Sequence, residues 1–360
     1  MIRLLVVDDS ALVRRLIGQV FADQPDFALT YARDGVEALG LLSSVRPDVV
    51  TLDVTMPRMD GLACLDRIMM ERPCPVVMVS GIDVAAEVTL EALRLGAVDF
   101  IAKPQGAASL RMAEWAPELL AKVRAAAGAK IRSSTRLRER VRHRIGLTVE
   151  PRRPAPYPTL AARTPIAARD GLGLVLIGAS TGGPPALEAV LCGLTADFPW
   201  PILIAQHMPA SFTGPLARRL DQLCALSVRE VTETIRLEAG AAYIARGDGD
   251  LIVDRRAGRL VAAPTPADPA YPWRPSVDRL VRSAMVQLPP ERLVGVLMTG
   301  MGDDGAAALT VLRRAGGRTI AEAEESAVVW GMPGELAKAG GADWILPLSC
   351  IAERLAALVA

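Results

Sequence analysis

The sequence contains only two histidines, His143 and His207, among 360 residues. Chemistry that needs an imidazole must use one of them. The cysteines are Cys64, Cys74, Cys192, Cys224 and Cys350. They are odd in number, widely spread and without a C-x-x-C pair, so neither a zinc site nor a disulfide framework is indicated. We expect them to be small core residues in a reducing cytoplasm.

Long apolar runs are also missing. None approaches the roughly 18 residues that a membrane-spanning helix needs. The start, MIRLLVVDDS, reaches two acids too soon for a signal peptide. We therefore expect a cytoplasmic protein without membrane insertion. The net charge of +1 gives no general attraction to nucleic acid. The length favours two domains of roughly 150 residues each.

Residues 1–125 alternate short apolar runs with helical patterns, which predicts an α/β domain with a parallel sheet and helices on both faces. The runs are Leu4–Val7, Asp48–Leu52, Pro75–Val79 and Val98–Ala102. Strand ends of one kind lie on one edge of such a sheet, so the polar residues at the ends of these runs are expected to converge. They are Asp8, Asp9, Asp53, Ser80 and Lys103.

Three carboxylates on one edge repel each other, and a hard divalent cation with oxygen ligands relieves that repulsion. Mg²⁺ suits carboxylates together with a phosphate oxygen. A carboxylate, Mg²⁺, a lysine and a hydroxyl can hold a phosphoryl group. One acid at a strand end usually caps a helix, but three with a lysine indicate a functional site.

The first domain resembles a response-regulator receiver domain, with a flavodoxin-like doubly wound sheet, in VVDDS, LDVTMPRMDG, VVMVSG and DFIAKP. The resemblance implies that Asp53 is the phosphoacceptor and that a chemotaxis histidine kinase is the phosphodonor. It implies Mg²⁺ ligands at Asp8, Asp9 and Asp53. It implies a phosphoryl switch made of Ser80, Lys103 and the rotating aromatic Phe100. Periodicity alone leaves Phe100 equally open as a core residue.

Residues 126–170 differ in composition, with eleven Lys and Arg against three acids and five prolines after position 150. Such a segment is predicted to be a basic, Pro-rich linker that buries no core. Its run Arg136–Arg144 could instead be a short basic helix that docks on an acidic partner surface. His143 lies here and is a poor candidate for catalysis.

From residue 171 to residue 360 the α/β rhythm resumes, which predicts a second, Rossmann-like parallel sheet. Its runs are Leu174–Ile177, Ile202–Ala205, Leu293–Met298, Arg318–Ala321 and Trp344–Leu346. Residues Ala242–Ala263 look like a small antiparallel meander inserted between them, with turns at Gly247–Gly249 and Ala257–Gly258.

The stretch LVLIGASTGG places Ser180 where a buried strand should turn into a helix. Residues 178–182 match G-x-S-x-G, the nucleophile-elbow pattern. His207 follows the next run, and Asp303 and Asp304 follow a third. A serine needs a base to become a nucleophile, and a carboxylate orients the imidazole. The chain order Ser, His, Asp differs from that of α/β-hydrolases.

A glycine-rich turn that binds a phosphate, or nothing, is the simpler interpretation of GASTGG. A nucleotide site is another, with Asp197 as the ribose-binding acid. GASTGG lacks the spacing of G-x-G-x-x-G, however, and Asp197 lies in a predicted loop. A nucleotide site also leaves His207 without a role.

The second domain resembles the protein-glutamate methylesterases of bacterial chemotaxis, in IGASTGGP, QHMPASFTGPLARRL, YIARGDGDLIV, RPSVDRLVRSA, MTGMGDDGAAAL and VVWGMP. The resemblance implies hydrolysis of glutamate methyl esters and deamidation of glutamines on methyl-accepting chemoreceptors, without a cofactor. It selects Asp304 over Asp303 as the acid, since the acid precedes the last glycine of G-M-G-x-D-G. Backbone N–H groups at Thr181 or Met301 are candidates for the oxyanion hole.

Three positions depart from the family pattern, namely Arg246, Asp250 and Trp273. None is a triad position, so we expect them to affect receptor recognition rather than chemistry. A response regulator with a non-catalytic output domain is the main alternative, and the presence of Ser180, His207 and Asp304 argues against it. DNA binding is a second alternative, but the basic charge lies in the linker and no helix-turn-helix is evident.

Overall fold

The computed structural model describes residues 1–81, 86–104, 108–131 and 173–359. The chain divides into two compact units, Met1–Pro154 and Ala155–Ala360. Residues 132–172, which include most of the predicted linker and His143, lie outside the described residues. Among the described residues, no helix combines the length and the apolar character needed to cross a membrane.

The first unit contains one parallel sheet with helices. Its strands are β1 (Ile2–Val7), β2 (Phe27–Ala32), β3 (Val49–Asp53), β4 (Val76–Ser80) and β5 (Asp99–Ala102). Its helices are α1 (Ala11–Phe21), α2 (Gly35–Val45), α3 (Gly61–Glu71), α4 (Ala86–Leu95) and α5 (Ala108–Ala127). The strand order is β2-β1-β3-β4-β5, and all neighbours are parallel. Strands β3 and β4 are buried at every position because helices cover both faces, which explains their continuous apolar runs.

The second unit contains a larger parallel sheet and a small antiparallel one. Its strands are β6 (Leu174–Ala179), β7 (Ile202–Gln206), β8 (Ser227–Val231), β9 (Ile235–Arg236), β10 (Ala241–Ala245), β11 (Gly249–Arg256), β12 (Arg259–Pro266), β13 (Leu293–Leu297), β14 (Arg318–Glu322) and β15 (Trp344–Leu346). Its helices are α6 (Gly183–Leu191), α7 (Ala210–Leu223), α8 (Val277–Gln287), α9 (Ala306–Arg314), α10 (Met332–Lys338) and α11 (Leu348–Val359).

The parallel sheet has the order β15-β14-β13-β6-β7-β10-β8, and the antiparallel sheet has the order β11-β12-β9. The predicted class, two doubly wound α/β domains with a small antiparallel insertion in the second, is confirmed. The structure adds the two-residue strand β9. It also adds β2 and β8, for which no apolar run was found. Both are edge strands with partly exposed residues, so neither forms a continuous apolar run.

The predicted meander at Ala242–Ala263 is wrong in its first strand. Strand β10 is buried at all five positions and pairs in parallel with β7 and β8, so it belongs to the main sheet. The rest forms a hairpin of β11 and β12. Its turn residues Ala257 and Gly258 have φ values of 47° and 76°, the positive values that a tight two-residue hairpin turn requires.

In each parallel sheet, the strand order reverses at the first strand of the unit, because later strands lie on both sides of it. Strands β2 and β3 lie on opposite sides of β1, and β7 and β13 lie on opposite sides of β6. Such switch points open a crevice at the carboxyl ends of the strands, where open α/β sheets bind ligands. Asp8 and Asp9 follow β1, and Ser180 follows β6, so each predicted site lies at a switch point.

Candidate active site and phosphorylation site

The acids predicted at the edge of the first sheet converge around one lysine. The Lys103 Nζ lies 2.8 Å from Asp8 Oδ2 and 2.8 Å from Asp53 Oδ2. One carboxylate oxygen from each of Asp8, Asp9 and Asp53 lies within 4.8 Å of the others. The structure therefore brings together four residues that span almost a hundred positions of sequence.

The electrostatics of this cluster favour a divalent cation. Asp8 and Asp53 are buried, whereas Asp9 is exposed. Burial raises the pKa of Asp53 and the charge of Asp8 acts in the same direction, although the hydrogen bond from Lys103 opposes both. The Lys103 ammonium pairs with Asp8 and Asp53, and the Arg14 guanidinium donates to the backbone carbonyls of Asp8 and Asp9. Three carboxylates therefore face two cations, which leaves an excess of negative charge. Oxygen ligands with that charge fit a hard ion such as Mg²⁺.

Ser80 contacts Lys103 of this cluster, whereas Phe100 packs near another lysine, Lys122. Ser80 is the last residue of β4, and its carbonyl oxygen accepts a hydrogen bond from the Lys103 N–H at 2.7 Å. Its hydroxyl is buried and donates to the Gly81 carbonyl at 3.1 Å. Phe100 is buried within β5, and the Lys122 ammonium lies 5.2 Å from the centre of its ring. Ser80 is thus at the edge of the cluster, and the rotation of Phe100 stays a prediction.

Ser180 and His207 are brought together by the register of two neighbouring strands. Ala179 of β6 pairs with Gln206 of β7, so Ser180 and His207 are the first residues beyond the paired ends. The His207 N–H donates to the Ala179 carbonyl at 3.0 Å, and the Gln206 side-chain amide donates to the Ser180 carbonyl at 3.0 Å. The backbone of each residue is therefore held by a hydrogen bond at the carboxyl edge.

The turn after Ser180 requires glycine. Gly182 caps α6 with a φ of 76°, in the left-handed region that favours glycine. A Cβ added at Gly183 would lie 1.9 Å from the Gln206 Oε1. The two glycines therefore allow α6 to begin directly after Ser180, against a side chain that also supports the serine.

Asp304 is the acid that faces His207. Its Oδ2 lies 2.9 Å from the His207 Nε2. Its other donors are the N–H groups of Val277 and Asp278 at the start of α8 and the Ser276 hydroxyl, at 2.7, 3.0 and 3.1 Å. Burial alone would raise the pKa of Asp304, but these hydrogen bonds and the nearby His207 lower it overall. Asp303 is exposed.

The contact between His207 and Asp304 assigns the tautomer of the imidazole. An ionised carboxylate only accepts hydrogen bonds, so the neutral ring carries its proton on Nε2. The Nδ1 atom is then the basic nitrogen. It is buried and has no hydrogen-bond partner among the described residues, so none of them occupies its lone pair.

The loop after β13 packs directly against Ser180. The Ser180 N–H donates to the Thr299 carbonyl at 3.0 Å, and a Cβ added at Gly300 would lie 2.6 Å from the Ser180 Cβ. Met301 follows in this loop, and Thr181 follows Ser180 in the chain. Both oxyanion-hole candidates therefore come from segments that adjoin the serine.

Two of the positions that depart from the family pattern, Trp273 and Asp250, have contacts close to His207 and Asp304. The Trp273 ring stacks on the His207 imidazole, with 5.2 Å between centroids and 4° between planes. The buried Asp250 accepts a hydrogen bond from the Ser276 N–H at 2.6 Å and pairs with Arg279. Trp273 thus contacts His207 directly, and Asp250 contacts Ser276, whose hydroxyl donates to Asp304. Arg246 is exposed and pairs with Asp248 at 3.0 Å.

One of these contacts has a recognisable pattern in the sequence, the helix start at Ser276. Ser276 precedes an apolar-periodic run, as an N-cap residue does, and its hydroxyl accepts from the Arg279 N–H at the start of α8. An acid near such a helix start is stabilised by its N–H groups. No local pattern indicates that Asp304 or Asp250 would come to lie there.

We expect Trp273→Ala to lower the kcat of the ester hydrolysis that the sequence predicts about 3- to 10-fold, because ring stacks contribute about 0.5–1.5 kcal/mol. Trp273→Phe should recover most of the loss, and KM should change little. The measurement is steady-state methanol release, with Tyr271→Ala in the same loop as control. A KM effect without a kcat effect would place Trp273 in substrate binding instead.

The geometry does not support the nucleotide-binding interpretation. Asp197 is exposed in the turn between α6 and β7. That turn precedes β7, so it lies at the opposite edge of the sheet from Ser180. The fold and the two sites instead define a class of protein in which a receiver-type domain accompanies a domain with a serine, histidine and aspartate constellation.

Comparison with known proteins agrees with this class. The family model described as CheB methylesterase matches residues 175–355, and the one described as response regulator receiver domain matches residues 4–113. A protein-glutamate methylesterase/protein-glutamine glutaminase of Rhodopseudomonas palustris is 55% identical over 99% of this chain and 97% of its own. One of Rhodospirillum rubrum is 54% identical over 99% of this chain and 95% of its own.

A solved structure is similar to the second unit. The crystal structure of the Thermotoga maritima CheB methylesterase catalytic domain is 37% identical, with a TM-score of 0.51, and covers 52% of this chain and all of that one. The protein therefore belongs to the CheB methylesterase family and carries a response-regulator receiver domain.

Proposed function

We propose that the protein is a phosphorylation-regulated protein-glutamate methylesterase that also deamidates protein glutamines, acting on chemoreceptors. The observation that carries the proposal is the constellation of Ser180, His207 and Asp304 at the switch point of the second sheet. Relatives named for both activities align over 99% of the chain. A non-catalytic output domain would need neither a buried acid paired with the histidine nor a free ring nitrogen.

In the proposed mechanism the Ser180 Oγ attacks the carbonyl carbon of the substrate side chain. The His207 Nδ1 takes the hydroxyl proton, while Asp304 holds the Nε2 proton and stabilises the imidazolium that forms. The same proton then passes to the leaving group, which departs as methanol from an ester or as ammonia from an amide. A water molecule, deprotonated by His207, releases the glutamate carboxylate and restores Ser180.

Negative charge on the substrate oxygen needs N–H donors in this mechanism. We assign that role to backbone N–H groups at Thr181 and near Met301, which adjoin Ser180 from two sides. Donors that are already in place lower the barrier more than flexible ones, since they need no reorganisation during the reaction. No cofactor takes part in this scheme.

The receiver site is proposed to accept a phosphoryl group on Asp53 from a chemotaxis histidine kinase. Asp8, Asp9 and Asp53 would hold Mg²⁺, which neutralises phosphoryl charge. Lys103 lies close enough to Asp53 to bind a phosphoryl oxygen, and Ser80 lies beside Lys103. Ser80 and Phe100 are the proposed switch that reports phosphorylation.

The direct test is methanol release from chemoreceptor membranes that carry labelled methyl groups, with the purified full-length protein. We expect release that increases when a small acyl phosphate and Mg²⁺ are added. A glutamine-containing receptor should release ammonia in the same preparation. Absence of both products, with folded protein, would contradict the proposed function.

A further inference from the structure

Two cysteines that lie far apart in the sequence face each other in the second unit. The Cys192 and Cys224 sulfur atoms are 2.8 Å apart, and both are free thiols. Cys192 is exposed and Cys224 is partly buried. The expectation that all five cysteines are core residues is therefore wrong for this pair, and also for Cys350, which is partly buried.

The ends of two helices hold the pair in place. Cys192 directly follows α6 and its N–H donates to the Glu188 carbonyl at 3.0 Å. Cys224 directly follows α7 and its N–H donates to the Leu220 carbonyl at 2.9 Å. Because both N–H groups close the last turns of their helices, the sulfur atoms are carried by regular backbone.

We propose that Cys192 and Cys224 are a site of reversible disulfide formation, by exchange with a small disulfide such as oxidised glutathione. A disulfide bond is about 2.05 Å long, so the sulfur atoms need to approach by less than about 1 Å. Such a short approach is within the reach of side-chain rotation. The rest of the fold can therefore stay as it is.

The exchange proceeds in two steps. The Cys192 thiolate, the more accessible of the two, attacks one sulfur of oxidised glutathione and expels a glutathione thiolate, which leaves a mixed disulfide. The Cys224 sulfur then attacks the Cys192 sulfur, forms the internal disulfide and expels the second glutathione thiolate. The two glutathione thiolates take up the protons of the two cysteine thiols. Two protein thiols are oxidised while one small disulfide is reduced.

The surroundings of Cys224 explain why Cys192 reacts first. Burial, followed by the neighbouring Cys192 thiol and the carboxylates of Glu188 and Asp221, raises the pKa of Cys224. Its thiolate is therefore scarce at neutral pH. Once the mixed disulfide has formed on Cys192, the Cys224 sulfur is already in contact with its target, which compensates for this scarcity.

The disulfide would join the helices at the ends opposite to the proposed active site. Helix α6 begins three residues after Ser180, and α7 begins three residues after His207. Nine residues of α6 span about 14 Å, so one helix length would separate the disulfide from the end of α6 that follows Ser180. We therefore expect it to stabilise the helix pair against unfolding and to leave ester hydrolysis intact.

The test uses the full-length protein, incubated with either reduced or oxidised glutathione. We expect peptide mapping to find a cross-link between Cys192 and Cys224 that dithiothreitol reverses. The loop closed by this bond is long enough that the melting temperature should rise by about 5 °C or more. Cys192→Ser and Cys224→Ser should each remove the cross-link and the rise. Cys350→Ser, at another accessible thiol of the same unit, should change neither.

Three results would overturn the proposal. The first is a mixed disulfide on Cys192 that persists without a cross-link. The second is oxidation of Cys192 between two protein molecules, seen as a dimer on a non-reducing gel. The third is an internal cross-link that leaves the melting temperature unchanged, which would refute the stabilising role.

Discussion

Ser180→Ala, His207→Ala and Asp304→Ala should each reduce methanol release by about 10⁴-fold or more, because the members of such a triad act as a unit. A double variant of Ser180 and His207 should be little worse than Ser180→Ala alone. The rate of methanol release by Asp303→Ala should stay close to that of the unaltered protein, since Asp303 is exposed and Asp304 contacts the imidazole.

Asp304 needs a separate control because it also binds the start of α8. Asp304→Ala removes the acceptor for the Val277 and Asp278 N–H groups, so it could lower stability as well as activity. Asp304→Asn keeps the size of the side chain, and its activity should still be very low because the amide can favour the wrong imidazole tautomer. Melting curves separate the two effects. An inactive Asp303→Ala with an active Asp304→Ala would show that the acid is misassigned.

The second large effect is expected for Asp53→Asn, which should abolish phosphoryl labelling of the protein by a phosphodonor. The variant removes the nucleophilic carboxylate but keeps its size. Labelling of the unaltered protein should need Mg²⁺, stop when a chelator is added and be lost on treatment with hydroxylamine, as an acyl phosphate is. Asp23→Asn, at an exposed acid of the same unit, is the matched control.

The same variant tests the regulation of the esterase. The methanol release of Asp53→Asn should not respond to a small acyl phosphate, whereas that of Asp23→Asn should increase. A stable label that forms without metal, or full labelling of Asp53→Asn, would contradict phosphorylation at this residue. Stimulation of Asp53→Asn by the donor would show that regulation does not pass through Asp53.

Local pattern predicted the parallel strands well where they are buried on both faces. Strands β3, β4, β6 and β7 are buried at every position, and each has a continuous apolar run in the sequence. Edge strands β2 and β8 lack such a run because solvent covers part of them. Strand β10 was assigned to the wrong sheet because its apolar residues do not say which partner strand they will meet.

The sequence by itself determined which polar residues stand at the ends of buried strands. Parallel strands align their carboxyl ends, so Asp8, Asp53 and Lys103 converge whatever the loops between them do, and so do Ser180 and His207. Only the tertiary structure decided what surrounds these residues. The stacking of Trp273 on His207 and the contact of Cys192 with Cys224 depend on where loops and helix ends pack. Such contacts join residues without any periodic relation along the chain, and therefore no sequence spacing encodes them.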